Sequence, residues 1–417
     1  MLARLLLLAY HFPPEDSSCT EKNTRLLKAL VEAGHDVTVV TKNKGYSNVV
    51  MHGDRAINVL RTTNGILHNE KHNTLGFSEI GIPKTTGLRN RLVSLAKSLK
   101  RRASLSIIPD AAIDWIGIAE REVIESNVLY DTDLIISTSS PYSSHILAYR
   151  LSKKTGVKYM LTYGDPWVYE PKRKRGLLRY TIERCVERRV VQNAAYVFVI
   201  TTYNKKKYEE LYDIDDSKIG TFNIGSELVT DKDLKCGCAH SRIALLYGGS
   251  LDPVHRNPEP MFEAISSLDN VTVDIYNEDY PNLYEMVSNY GVSDVVTIHK
   301  LVPSNQFAEL MKQYDYLVLF GNKTPFQVPG KVFSYIASGK HILYIKNNDD
   351  PDDGTEEILL QYGNCTVVQN KASSIIEGIE LLTKDPCRIA SVDRINEFCY
   401  LNTMRSIVDA VKIICNS

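Results

Sequence analysis

An α/β chain made of two parallel-sheet domains is what this sequence predicts, and three observations carry the reading. Short apolar strands alternate with helix-length amphipathic segments, the pattern of a sheet covered by helices on both faces. That rhythm runs twice, once from the first residues and again from residue 242, with a polar stretch near residues 226 to 241 between the runs. The residues unusual for a plain scaffold gather just beyond the carboxyl ends of the strands, where open parallel sheets hold ligands.

Taken in order, Leu5 to Tyr10 form a continuous apolar run suited to a strand buried on both faces. In "SCTE", Ser18 is the expected N-cap with Glu21 three residues on, a capping box. Leu26, Leu27, Leu30 and Val31 give the helical stripe, Gly34 ends it, and "DVTVVT" is the next strand. "DLIISTSS", "VKYMLTYGD" and "AAYVFVITT" read as further buried strands of the first run. "RIALLYGGS", "VTVDIYN", "DVVTIHK", "YLVLFGN" and "HILYIKN" are those of the second. Together they imply two Rossmann-like domains.

Composition fits a globular protein: of 417 residues, 43% are hydrophobic and 24% charged. A net charge of -1, with no recognition module and no basic patch interleaved with aromatics, speaks against nucleic acid as a partner. Eight cysteines, scattered singly apart from Cys236 and Cys238, read as reduced thiols. "KCGCAH" lacks a second metal-ligand pair, so Cys236, Cys238 and His240 read as polar linker and not as a zinc site. "MLARLLLLAY" has a short apolar core, one Arg and no small-residue cleavage site, so it reads as a strand and not as a leader. No run reaches the roughly 18 apolar residues of a spanning helix, and a cytoplasmic protein is expected.

The strand ends carry "HFPPEDSSC", "SSPYSSH", "YGDPW", "GGSLDPVHRNP" and "GNKTPFQVPGK". Gly, Pro and Ser are ordinary loop residues, but the Arg, Lys, Asp and Trp among them point to a two-sided cleft. These stretches, with "GHDVTVVT", "PDAAIDW", "SSPYSSHILAYRLSKKTGVKYM", "YGGSLDPVHRNPEPMFEAI" and "VPGKVFSYIASGKHIL" in this order, resemble the family 4-like glycosyltransferases of the GT-B fold, in the branch that builds bacterial polysaccharides. The likeness runs over nearly the whole chain. It implies two Rossmann-like domains whose parallel sheets face each other across a cleft. An acceptor-binding domain would span residues 1–225 and a nucleotide-sugar domain 226–395, with a helix at 396–417 packing back on the first.

The resemblance also implies roles. A nucleotide sugar carries a diphosphate whose charge must be stabilised as it leaves. Lys331, on the first turn of a helix opened by Gly330, and Arg256 in "VHRNP" would meet that charge. Read from the residues alone, Lys331 is equally a solvated helix lysine and Arg256 a loop charge. Gly248 and Gly249 permit close backbone approach to the nucleotide, or only a tight turn. Ser250, Asn322 and Ser334 complete the donor set. Asp165, the best acid at a strand end, would orient the acceptor or accept its proton, or cap the turn before Pro166. His11, Phe12, His145 and Trp167 complete the acceptor set, with a partly buried helix imidazole and plain aromatic packing as the bland readings of the last two.

Departures from the relatives are equally visible. They usually carry a carboxylate where Ser334 stands, an acid where Phe326 stands and often an Arg where Ser250 lies. "DSSC" replaces their glycine-rich turn, and "GDPW" lacks the Arg that often precedes Asp165. The expected activity is a retaining, metal-independent hexosyl transfer from a UDP- or GDP-linked donor, with no cofactor, to a saccharide or lipid-linked acceptor. The alternatives are a nucleotide-sugar epimerase and a catalytically silent binding subunit. Two basic stretches, residues 84–109 and 171–189, suit peripheral contact with a membrane face, the second equally a solvated helix face.

Overall fold

The computed structural model describes residues 2–15, 17–43, 45–64, 108–169, 176–234, 242–251, 255–277, 280, 282–384 and 389–416. The chain divides into two compact units. One is Met1–Val199 with Tyr208–Gly220 and Ile407–Ser417; the other is Ile200–Lys207 with Thr221–Ser406.

Among the described residues the first sheet has eight strands: β1 (Arg4–Leu8), β2 (Asp36–Thr41), β3 (Val49–His52), β4 (Arg55–Arg61), β5 (Leu134–Thr138), β6 (Lys158–Thr162), β7 (Tyr196–Val199) and β8 (Ile219–Thr221). Their order is β3-β4-β2-β1-β5-β6-β7-β8. The central strand β1 pairs in parallel with β2 and with β5, Leu5 opposite Val37 on one side and Leu134 on the other. Leu5 to Leu8 are all buried, as a strand covered on both faces requires, and each contributes about 1.5–3 kcal/mol. The second sheet is β9 (Ile243–Gly248), β10 (Val271–Asn277), β11 (Val296–Lys300), β12 (Tyr316–Phe320), β13 (His341–Lys346) and β14 (Cys365–Gln369), ordered β11-β10-β9-β12-β13-β14 and parallel throughout.

Among the parallel strands of each sheet the order reverses once, between β1 and β5 and between β9 and β12. Those switch points are where an open α/β sheet leaves a crevice beyond its strand ends.

Local details differ from the sequence reading. The N-cap of helix Ser18–Glu32 is Ser17, whose extended backbone lets its hydroxyl accept from the Thr20 N–H at 3.1 Å. Ser18 is the first helical residue, and Glu21 pairs with Arg25. The antiparallel pair β3–β4 was not anticipated, because Val49 and Met51 are exposed and the strand lacks an apolar run. Edge strand β14, with one fully buried position, is also missed.

Residues 84–107 of the first basic stretch lie outside the described residues, as do Cys236, Cys238 and His240. The second stretch is described from residue 176. Helix Leu177–Gln192 turns Glu183, Glu187, Val190 and Val191 inward and leaves Leu177 and Leu178 exposed, at 84% and 77%. Glu187 is held by the hydroxyls of Tyr208 (2.8 Å) and Tyr212 (2.6 Å) and by the Val168 N–H (3.0 Å). Among the described residues no helix is long and apolar enough to cross a membrane. Helix Arg405–Asn416 belongs to the first unit from Ile407 onward, where Ile407, Val411 and Ile414 are buried and the Lys158 amine donates to the Ile414 carbonyl at 3.4 Å.

Candidate functional site

The second unit gathers six of the sequence-predicted residues at its switch point. Strand β9 ends at Gly248, and Gly249 follows with φ +144, a conformation that side chains rarely adopt. A Cβ on Gly249 would strike the Lys331 amine, which itself donates to the Gly248 carbonyl. From the other flank Arg256 donates through Nε to Asn322 Oδ1 (3.1 Å) and through Nη1 to the Ser250 carbonyl (3.3 Å) and hydroxyl (3.4 Å). Two cations thus converge on one glycine turn between β9 and β12. Such an arrangement suits phosphate oxygens, which accept from a planar fork and from an ammonium at once.

A second layer fixes this geometry. The Gly248 N–H donates to the buried Tyr335 hydroxyl at 3.1 Å, and the Tyr247 hydroxyl donates to the Ser250 carbonyl at 2.9 Å. The Asn322 amide donates to the Gln327 carbonyl at 3.1 Å. Asp353, the N-cap of helix Gly354–Tyr362, accepts from Tyr344 (2.9 Å) and Asn348 (2.8 Å), and the Asn348 amide also reaches the Asn322 carbonyl at 3.0 Å. Asn348 and Asp353 were not singled out from sequence; "NNDDPDD" reads as a polar loop, and nothing local marks its role.

Gly330 precedes helix Lys331–Ala337 with helical backbone angles, and a Cβ there would meet nothing within 4 Å. Ser334 lies one turn past Lys331 on the same partly exposed face, but its hydroxyl donates back to the Lys331 carbonyl at 2.9 Å. Phe326 stacks with Tyr203 at 5.7 Å, while its carbonyl accepts from the Asn204 amide at 3.1 Å.

In the first unit, His11 follows β1 and shares a hydrogen bond with Glu15 at 2.7 Å; Lys42 reaches the other Glu15 oxygen at 3.3 Å. Burial pushes the Glu15 carboxyl up, but His11 and Lys42 together hold it below its ordinary value. His145 is fully buried on helix Ser143–Thr155, its Nδ1 within 2.8 Å of the Ser137 hydroxyl and its Nε2 without a hydrogen-bond partner. Burial, and then the charge of Lys22, hold its pKa well below the usual value, so the ring is neutral near pH 7. Asp165 is half-buried just past β6 and acts electrostatically on Lys22.

Two predicted acceptor residues are corrected. Trp167 is 0% exposed and stacks on Tyr142 at 5.4 Å, within 10° of parallel, so neither ring face is open to a sugar. Phe12 is likewise buried. Both are packing residues that hold the strand-end loops. Sequence reasoning missed Lys22. At 4% exposure it sits under the β1/β5 switch point, its amine donating to the Ser139 carbonyl. Among the described residues no group of three or more His, Cys, Asp or Glu side chains is arranged to hold a metal ion.

Residues 22–222 match the family described as glycosyl transferase 4-like domain. No curated protein matches the sequence. Among solved structures, sucrose-phosphate synthase from Thermosynechococcus elongatus superimposes with TM-score 0.65 at 14% identity, over 99% of this chain and 98% of that one. HepE from Anabaena, solved with UDP and glucose, gives 0.62 at 10% identity over 99% and 100%. The lipopolysaccharide outer core galactosyltransferase WaaB, in its apo form, gives 0.59 at 9% identity over 98% and 99%.

Proposed function

From the premise that this chain is a family 4-like glycosyltransferase of the GT-B fold, its 4-like domain spanning residues 22–222, we propose that it moves a sugar from a nucleoside-diphosphate donor to a hydroxyl of a saccharide or lipid-linked acceptor in cell-surface polysaccharide assembly. One observation carries the donor side: Lys331 and Arg256 converge on the Gly248–Ser250 turn. In this reading the diphosphate lies on that turn, its oxygens accepting from the ammonium, the guanidinium and the neighbouring backbone amides. The turn can be approached this closely because it has no Cβ at residue 249. Asn322 fixes the plane of the Arg256 fork.

The first unit takes the acceptor, with the half-buried Asp165 at the end of β6 as its polar group; His145, fully buried, acts behind it. Retention of anomeric configuration belongs to the same reading. So does independence from a metal ion, since the two cations meet the charge of the departing diphosphate. Peripheral contact with a membrane face is supported by Leu177, Leu178 and Ile182, exposed beside Arg184 and Arg188 on one helix.

The test is a thermal-shift screen of the full chain with UDP, GDP, ADP and dTDP. One of them should stabilise the protein, and Lys331→Ala or Arg256→Ala should abolish the shift. A shift that survives both substitutions puts the phosphates elsewhere. Serine in place of a carboxylate at 334 keeps the silent binding subunit as a second reading. Sugar turnover with donor alone identifies an epimerase, and transfer to acceptor identifies the transferase.

A further inference from the structure

We infer that Lys22 is an anion-recognising cation in the first unit, and that the group it takes is a carboxylate or phosphate carried by the sugar substrate bound there. The inference rests on the glycosyltransferase reading above, which is what makes the ligand a sugar.

The position is unusual for a lysine. Its helix, Ser18–Glu32, follows β1, and its amine reaches across the switch point to the carbonyl of Ser139, just past β5. Above the amine lies Gly164, half-buried at the end of β6. A Cβ there would stand 3.1 Å from Lys22 Nζ and 3.2 Å from the Ser139 carbonyl oxygen. The backbone of Gly164 is not in the left-handed region, so its conformation does not call for glycine. What glycine supplies is room, and the room is occupied by the tip of a lysine. Gly164, Asp165 and Ser140 are all partly exposed, so the segments that cover the amine reach the surface.

In the chain segments next to Lys22, at the end of β5 and at the start of the helix after it, hydrogen-bonding capacity is left unspent. Asn23 Oδ1, Thr138 Oγ1, Ser139 Oγ, Ser144 Oγ and His145 Nε2 are buried with no partner. Buried atoms of this kind are costly unless something polar meets them, and of these residues His145 is the one whose ring feels the charge of Lys22. The Ser139 carbonyl takes one of the three N–H donors of the amine, and the Asp165 carboxylate is the full negative charge that acts on it. Burial pulls the Lys22 pKa down while Cys19 and Asp165 push it up. His145, the other titratable group facing the amine, stays neutral. A sugar bearing an acidic group would bring hydroxyls for such atoms and, beside Asp165, a second anion for the ammonium.

The test uses the full chain labelled with 15N-histidine, with the His145 signal identified by its loss in His145→Asn. Glucuronate, glucose 1-phosphate and glucose are titrated separately while the His145 resonance is followed. One of the two acids should shift it saturably and glucose should not; the responding acid identifies the group as carboxylate or phosphate. Lys22→Met should weaken that response about tenfold or more, the loss of one charge-assisted contact. Gly164→Ala, which keeps the charge but fills the slot, should weaken it likewise. If Lys22→Met does not fold, Gly164→Ala and Lys22→Arg decide, the arginine being too bulky for the slot. The inference is overturned if neither acid moves His145, if glucose moves it equally, or if the folded variants respond as wild type. UDP stabilisation, read in parallel, tests the donor site alone, so either reading can fail without the other.

Discussion

The side-chain amine of Lys331 donates to the main-chain carbonyl of Gly248, tying the helix after β12 to the end of β9. A lysine at the start of a helix sits at the end that favours anions. Here a carbonyl offsets part of its charge, while Arg256 stands on the other side of the same turn, bonded to Ser250 and Asn322. The turn therefore combines two cations with a glycine that no other residue replaces easily.

Gly249→Ala should expose that dependence. The new methyl meets the Lys331 amine, and φ +144 is strained for alanine. We expect a loss of about 1–3 kcal/mol in stability by urea denaturation and no thermal shift with any nucleoside diphosphate. Wild-type nucleotide binding in this variant would exclude the turn as the phosphate cradle.

Arg256→Lys keeps the charge and removes the fork. Lysine cannot bond Asn322 and Ser250 in one plane, so the dissociation constant for the stabilising nucleotide should rise about tenfold by calorimetry. An unchanged constant would mean that charge alone matters at this position.

Ser334→Glu should tighten nucleotide binding. The native hydroxyl is engaged with the Lys331 carbonyl, and a carboxylate on the same partly exposed face accepts from ribose hydroxyls more strongly. A gain of about tenfold, absent with a 2′,3′-dideoxy nucleotide, is the expected result. Equal gains with both nucleotides would rule out a ribose contact.

Glu15→Gln makes a pH-dependent prediction. The folded carboxyl titrates below its unfolded value, so its contribution is complete above the ordinary Glu pKa and fades as pH falls through the folded one. The substitution should cost about 1 kcal/mol at pH 6, and the gap should close as pH falls through the folded pKa in urea melts. A gap that persists unchanged in acid would assign the effect to packing.

Glu187→Ala should be the most destabilising of these changes. It leaves two buried tyrosine hydroxyls and the Val168 N–H without their shared acceptor. A loss of about 3–5 kcal/mol is expected by chemical denaturation. A loss below about 1 kcal/mol would show that water replaces the carboxylate.

The strands were legible because their burial is written locally. "DVTVVT" is β2 residue for residue, and "VTVDIYN" is β10. That Lys331 and Arg256 lie at the ends of neighbouring strands with Gly248 and Gly249 was legible for the same reason, since glycine pairs and cations at strand ends are visible in a few residues. Lys22 was not legible: in sequence it is one more lysine on an amphipathic helix, and its burial depends on Gly164, on a different strand end. Trp167 misled in the opposite sense, because only the fold shows that Tyr142 covers its ring. The Ser17 cap turned on a single residue of register, decided by backbone angles that the letters do not carry.

The chain leaves the first unit at Ile200, returns for Tyr208–Gly220, leaves again and comes back only at Ile407. A ribosome must therefore synthesise the whole of Thr221–Ser406 before the segment bearing Ile407, Val411 and Ile414 is delivered to its seat beside Lys158. Until then the first unit lacks the apolar side chains that this segment contributes. Deleting Ile407 to Asn416 would therefore injure the unit that contains β1, not the one that immediately precedes them along the chain.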